Sequence, residues 1–246
     1  MEIEGCVALV TGANRGLAGP IAKPCSRPVR PRFMPGARDP SAITDPRLVP
    51  VRLDVTSPAE IAAATERCDD LTVLINNAGA MLLSPMLAEG SEAALRRELE
   101  VNVFGVLGMI RAFAPILGRN GGGAIANVLS VVSWFTAPFN ATYCASKHAA
   151  LAVTDGARIQ LREQGIQVLG IYAGFIDTDM AASVAETKTS PRQVADRTLD
   201  GIRRRLDHVR TDDSAEAIWQ ALKTDPAQFE AELQAQWHRG SPWQAA

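Results

Sequence analysis

A charge of one sign is what this chain lacks most plainly. Its 25 Lys and Arg nearly balance 27 Asp and Glu, for a net charge of −2. That gives no general pull toward nucleic acid or an anionic membrane. Histidine is scarce: His148, His208 and His238 are scattered, each more readily a surface or packing residue than a ligand, so no metal is expected. Cys6, Cys25, Cys68 and Cys144 show neither metal-ligand spacing nor a paired framework, and fit thiols of a reducing cytosol. No apolar run reads as long enough to span a bilayer. The opening MEIEGCVALVTGA has no basic n-region and runs straight into a strand-like pattern, so no signal peptide is expected and the location reads as cytoplasmic. No internal repeat or linker divides the chain. With 246 residues, 47% of them apolar, it can bury the core of one domain spanning 1–246.

Short β-branched runs alternate with longer helical patterns, the signature of βαβ units and a doubly wound parallel α/β sheet. Strands are predicted at Cys6–Val10, Val51–Leu53, Leu71–Ile75, Ala124–Leu129 and Gln167–Tyr172, with a short last one at His208–Arg210. Helices are predicted over Thr56–Cys68, Ser91–Leu117, Ala141–Gln164 and from Pro191 onward, with a substrate lid around 175–205.

Three stretches carry chemistry. Directly after the first strand stands Thr11-Gly12-Ala13-Asn14-Arg15-Gly16-Leu17-Ala18. Glycines at a strand-to-helix turn let backbone N–H groups approach a pyrophosphate, although a glycine pair alone also makes an ordinary turn. Farther on, Tyr143 and Lys147 lie one helical turn apart on the same face. A free phenol titrates at about 10, and an ammonium about 4 Å away contributes roughly 4 kcal/mol at an effective dielectric of 20. That would bring the phenol near pH 7, where it can exchange protons; the alternative is an ordinary amphipathic helix. Ser130 closes a strand and can donate to a carbonyl oxygen, or cap a turn. Asn102 is a polar residue in an apolar stretch, where burial demands a partner, and Asn76-Asn77-Ala78-Gly79 follows another strand.

Taken in order, TGxxxGx, Asp54, NNAG, Asn102, Ser130, YxxxK and Gly174-Phe175-Ile176-Asp177-Thr178 resemble the short-chain dehydrogenase/reductase (SDR) family over nearly the whole chain. The resemblance implies a single Rossmann-like domain that transfers hydride between a nicotinamide dinucleotide and a carbonyl or alcohol. By position it assigns Tyr143 as the acid/base and Ser130 as the group that polarises the carbonyl. Lys147 would lower the phenol pKa and hold the ribose, and Asn102 would hold a water linking Lys147 to solvent. For the cofactor it implies Gly12, Asn14, Arg15, Gly16 and Leu17 at the phosphates and Asp54 with Val55 at the adenine. Asn77, Ala78 and Gly79 would line it, with Gly174, Ile176 and Thr178 toward the nicotinamide. Ala18 stands where the family has a third glycine, and Ala173-Gly174 replaces the usual Pro-Gly.

Cofactor choice follows from charge. Binding of ribose hydroxyls asks for an acidic residue after the second strand, and here Arg38 leads Asp39. With Arg15 in the glycine loop, two guanidiniums suit a 2′-phosphate, so NADP(H) is expected over NAD(H). Met81, Leu82, Trp134, Phe135, Phe139, Phe175 and Met180 are expected near an apolar substrate pocket. The expected partner is a small carbonyl or alcohol, with no nucleic acid and no membrane; a homo-oligomer remains open. The rival readings are a non-catalytic dinucleotide sensor, an inactive relative with a disturbed phosphate loop, and a dehydratase or epimerase on the same scaffold.

One stretch breaks the pattern. Prolines stand at 20, 24, 28, 31, 35 and 40, where a βαβ unit needs a helix and a strand. Inside a helix each proline costs about 3 kcal/mol. Back-translated with GC-rich codons, one base restored after the Leu17 codon and one removed near the end, residues 16–36 read GLGRAYCEALLAPGAPAVYAG. That string supplies the third glycine, an amphipathic helix, a turn and the strand AVYAG. The printed stretch is therefore expected to be out of frame relative to the ancestral gene.

Overall fold

The computed structural model describes residues 3, 5–13 and 32–240. Seven parallel strands form one sheet: β1 (Val7–Thr11), β2 (Arg32–Ala37), β3 (Val51–Arg52), β4 (Val73–Asn76), β5 (Gly123–Val128), β6 (Ile166–Tyr172) and β7 (His208–Arg210). Their order, β3-β2-β1-β4-β5-β6-β7, reverses direction at β1 and β4, which is the switch point of a doubly wound fold. The strands read as continuous apolar runs because both faces are covered. Leu9, Leu74 and Ile125 pack on one face, while Ala8, Val10, Ile75 and Ala126 pack on the other.

Helix α1 (Pro58–Arg67) starts where Ser57 Oγ accepts from Glu60 N and Pro58 needs no donor. A continuous helical rod follows: α2 (Ser91–Leu99), a π-helical segment (Glu100–Gly105) and α3 (Val106–Arg119). Contrary to the sequence reading, part of this rod meets the length and composition of a membrane span. Its packing accounts for that apolarity: Met109, Ile110, Phe113, Ile116 and Leu117 are buried under the sheet. Then come α4 (Ala141–Leu161), α5 (Pro191–Arg203), α6 (Asp213–Thr224) and α7 (Pro226–Arg239). Within the span 175–205 expected of a lid, α5 buries Val194, Ala195, Leu199 and Ile202 in the core.

The second strand forms with the residues as printed, so the strand half of the proline-rich stretch is not broken. Phe33 and Met34 are buried on opposite faces. Successive peptide groups of a strand point to opposite neighbours. Ala13 N donates to Gly36 O on the β1 side, while Val49 N and Leu53 N donate to Phe33 O and Ala37 O on the β3 side. Pro35 therefore lacks its N–H on the β3 side, just before pairing with β3 begins at Gly36. The β1–β2 ladder loses no donor. The helix half of that stretch, with Ala18, lies outside the described residues.

Candidate active site

The carboxyl ends of β1, β4, β5 and β6 meet at one edge. At the end of β1, Gly12 has φ +66°, and a Cβ there would lie 2.8 Å from Ala78 Cα. Only glycine allows that approach. The loop after β4 is bolted to this turn. Thr11 Oγ1 accepts from the backbone N–H groups of Asn77 and Ala78, each at 3.0 Å, and Asn77 Nδ2 donates to Thr11 O at 2.9 Å. Below it, Asn76 donates to Asn127 and Asn127 to Thr154 Oγ1, tying β4 and β5 to α4.

Asn102 sits on the π-helical segment and is 1% exposed. Its Oδ1 accepts from Ala80 N; its Nδ2 donates to Ala80 O and to Ser146 Oγ, all at 2.9 Å. Ser146 Oγ in turn donates to Tyr143 O at 2.7 Å. Both hydrogens of the amide are thus used by protein atoms behind the cavity wall. This arrangement makes the Asn102 side chain a clamp between the loop after β4 and α4.

Ser130 caps a 3₁₀ turn: Oγ accepts from Val132 N and donates to Ala173 O, both at 3.4 Å, and it also bonds the Tyr143 phenol. Lys147 is 5% exposed; its Nζ donates to Val128 O at 2.8 Å and lies 5.6 Å from the Tyr143 ring centroid. The phenol is not brought near neutrality. Burial pushes its pKa well above the usual value, Cys144 and the Glu98 carboxylate push the same way, and the Ser130 bond opposes them. Burial also pulls the Lys147 ammonium down to about 8. Burial is the first cause for both groups, and Lys147 is held on the Val128 carbonyl.

The end of the edge expected to take the adenine carries Asp54, Val55 and the exposed Arg38. Partial burial disfavours the Asp54 carboxylate, yet hydrogen bonds from Thr56 N and Oγ1, with the charges of Arg38 and Arg97, hold its pKa below the usual value. At the opposite end, Gly174 N donates to Asp212 Oδ2 at 3.1 Å, and a Cβ on Gly174 would lie 3.0 Å from Ser214 Oγ. Thr178 Oγ1 donates to Ile176 O, and Ile176 bridges Thr189.

A cavity of about 560 Å³ joins these groups. Gly12, Arg38, Asp54, Val55, Asn77, Ala78 and Gly79 line one end; Ser130, Tyr143, Lys147, Gly174, Ile176 and Thr178 line the other. Asn14, Arg15, Gly16 and Leu17 lie outside the described residues. Of the expected pocket residues, Met81, Phe135, Phe139, Phe175 and Met180 face the cavity. Leu82 and Trp134 do not: Leu82 is half exposed, and Trp134 stacks on Tyr172 in the core. Sequence reasoning missed Arg97 and the wall made by Phe229, Leu233 and Gln236 of α7. It also missed Glu98, buried behind Tyr143, whose Oε1 accepts from Leu82 N and whose pKa burial raises.

The tight glycine turn, the arginines at one end and the lysine and phenol at the other fit a dinucleotide laid along the sheet edge. Fold and site together define a dinucleotide-dependent oxidoreductase. A family model for short chain dehydrogenases matches residues 6–189. The chain belongs to the short-chain dehydrogenase family. A crystal structure of a short chain dehydrogenase from Burkholderia cenocepacia in complex with NADP is 41% identical. It superposes with a TM-score of 0.90, covering 95% of this chain and 99% of that one. The sorbitol dehydrogenase of Cereibacter sphaeroides is 30% identical over 206 residues, 78% of this chain and 80% of that protein. Human 17-beta-hydroxysteroid dehydrogenase type 1 is 37% identical over 150 residues, which span 60% of this chain and only 44% of that protein.

Proposed function

We propose that the protein is an NADP(H)-dependent carbonyl reductase or alcohol dehydrogenase acting on an apolar ketone, aldehyde or alcohol. The observation that carries this reading is one cavity holding Ser130, Tyr143 and Lys147 together with the dinucleotide-binding edge. Arg38 and Arg97 at the adenine end supply positive charge for a 2′-phosphate, in keeping with the NADP bound to the 41% identical neighbour. When bound, the nicotinamide exchanges a hydride with the substrate carbon.

The chain's own residues handle the oxygen and its proton. Ser130 donates to the carbonyl oxygen and polarises it. Because burial raises the pKa of Tyr143, the phenol is protonated at neutral pH, the form a general acid needs in reduction. It gives its proton to the oxygen as the hydride reaches carbon. Lys147, with a pKa of about 8, stabilises the phenolate that remains. The alcohol product carries both the hydride and the proton, so the reaction balances.

At the substrate end, Phe135, Phe139, Phe175, Met81 and Met180 offer apolar surface. Among the described residues, the lysines and arginines lining the cavity are Arg38 and Arg97 at the far end and Lys147, whose ammonium is held on Val128 O. This supports a neutral substrate. The named relatives act on a steroid and on a sugar alcohol, so they do not choose between substrates. We also place the protein in the cytoplasm, where the buried Cys144 thiol, pushed up to about 12 by burial, stays reduced. The non-catalytic sensor reading is disfavoured by the complete Ser130, Tyr143 and Lys147 set. The test is a panel of neutral ketones followed by NADPH absorbance, beside a titration of NADPH binding. Binding without turnover of any ketone would overturn catalysis in favour of a sensor.

A further inference from the structure

The outer wall of the cavity is α7, a helix that buries none of its residues fully. Phe229, Leu233, Gln236 and Trp237 fall on one face, since Leu233 stands four residues after Phe229 and three and four before Gln236 and Trp237. Two aromatic contacts fasten that face. Phe229 meets Phe135 edge-on at 5.0 Å, and Trp237 stacks on Phe139 at 4.9 Å. Phe135 and Phe139 belong to the segment between Ser130 and Tyr143, so α7 is pinned to the loop that joins the catalytic groups. Phe229, Leu233 and Gln236 line the cavity itself.

Gln236 differs from the other glutamines of this region. Gln228 donates to Glu232 and Gln234 bonds His238, each one turn along the helix. One turn beyond Gln236 stands Gly240, which has no side chain to offer. Among the described residues the Gln236 amide makes no hydrogen bond, and Gln236 lines the cavity beside Phe229 and Leu233. A polar group held at an apolar wall is a specificity device: a ligand that satisfies it is favoured over one that leaves it dry.

We propose that Gln236 of α7 binds a polar group of the substrate remote from the reacting carbonyl. The substrate class is then a neutral molecule with an apolar body, a reacting carbonyl at one end and an uncharged hydroxyl or carbonyl at the other. This rests on the functional reading above for the reacting end only.

The test compares 4-phenyl-2-butanone with 4-(4-hydroxyphenyl)-2-butanone on the full-length protein and on Gln236→Leu. Two readouts are taken: kcat/KM with NADPH, and the change in the protein's tryptophan fluorescence on titration, which reports occupancy without turnover. The wild type favours the hydroxylated ketone by about tenfold in both readouts, the worth of one hydrogen bond. Gln236→Leu brings the ratio to about one and leaves the plain ketone within about twofold. A wild-type ratio near one, an unchanged ratio in the variant, or an equal fall for both ketones overturns the proposal. If neither ketone is reduced, the functional reading fails, and the fluorescence ratio alone still decides the role of Gln236.

Discussion

Tyr143→Phe removes the transferable proton and keeps the ring, so the structure allows its effects on rate and on fold to be separated. The ring packs beside Val131, Val132 and Cys144, and a phenyl group fills the same space. Ser130 loses the phenol but keeps Val132 N and Ala173 O as partners. One hydrogen bond is worth about 1 kcal/mol, and removing the buried hydroxyl relieves a desolvation cost, so stability changes by less than about 1 kcal/mol. Loss of a positioned general acid lowers the rate by about 10² to 10⁴, equivalent to about 3–5 kcal/mol of barrier. Turnover is read from NADPH absorbance, cofactor affinity from NADPH fluorescence and stability from urea unfolding. Tyr172→Phe is the control, since Tyr172 bonds His208 away from the cavity and its loss should spare turnover. A Tyr143→Phe enzyme retaining more than about a tenth of the wild-type rate refutes the assigned role. So does a fall in NADPH affinity that matches the fall in rate.

Arg38→Ala should weaken NADPH by about tenfold or more and leave NADH nearly unchanged, because only the former carries a 2′-phosphate; equal losses in a binding titration would make Arg38 structural. Asn102→Ala leaves Ala80 N, Ala80 O and Ser146 Oγ without their partner. It should cost about 2–4 kcal/mol in urea unfolding and lower kcat more than it raises KM; an unchanged midpoint would contradict the clamp. Lys147 gives a pH test. Its pKa falls from 10.5 to about 8 on folding, so between these values the unfolded chain holds a proton that the folded chain has released. Stability relative to Lys147→Met must therefore rise with pH from about 8 to about 10.5, by about 3 kcal/mol in all. Parallel unfolding curves for the two proteins across that range would refute it.

The strands and the motif order were legible because both are local signals. An apolar run bounded by turns reads as a buried parallel strand, and Gly12, Asn77, Ser130, Tyr143 and Lys147 stand at strand ends or on one helical face. What long-range contacts decide was not legible. No sequence pattern marks residues 100–105 as a π-helical turn, because the widening serves contacts of Asn102 with Ala80 and Ser146, far away in the chain. The phenol pKa was misjudged because a two-charge calculation omits burial, here the largest cause. Trp134 was placed in the pocket from its position near Ser130, yet Tyr172 and Trp219 draw it into the core. The wall made by α7 went unread because a charged C-terminal helix shows only a weak apolar face until Phe135 and Phe139 are seen opposite it.

The reading frame of residues 16–36 is the last question, and β2 narrows it. The printed residues 33 and 34 are Phe and Met, and the frame-restored string has Val and Tyr at the same places. Both versions put two large side chains on opposite faces of a central strand, so the strand tolerates either. Pro35 discriminates little, since its missing N–H lies on the β3 side and costs the β1–β2 ladder no donor. The discrimination lies in Pro24 and Pro28, which a phosphate-binding helix could carry only at about 3 kcal/mol each. Natural sequences agree with their fold at each level, and the restored string agrees where the printed one conflicts. Trypsin separates them, because it spares Lys and Arg before proline. The printed chain yields a fragment Phe33–Arg38, whereas the restored frame yields AYCEALLAPGAPAVYAGAR ending at the same arginine. The latter fragment is expected from protein made by the native gene. Recovery of the Phe33–Arg38 fragment from a preparation that binds NADPH and turns over a ketone would sink the frame argument, and would show that the phosphate site forms despite both prolines.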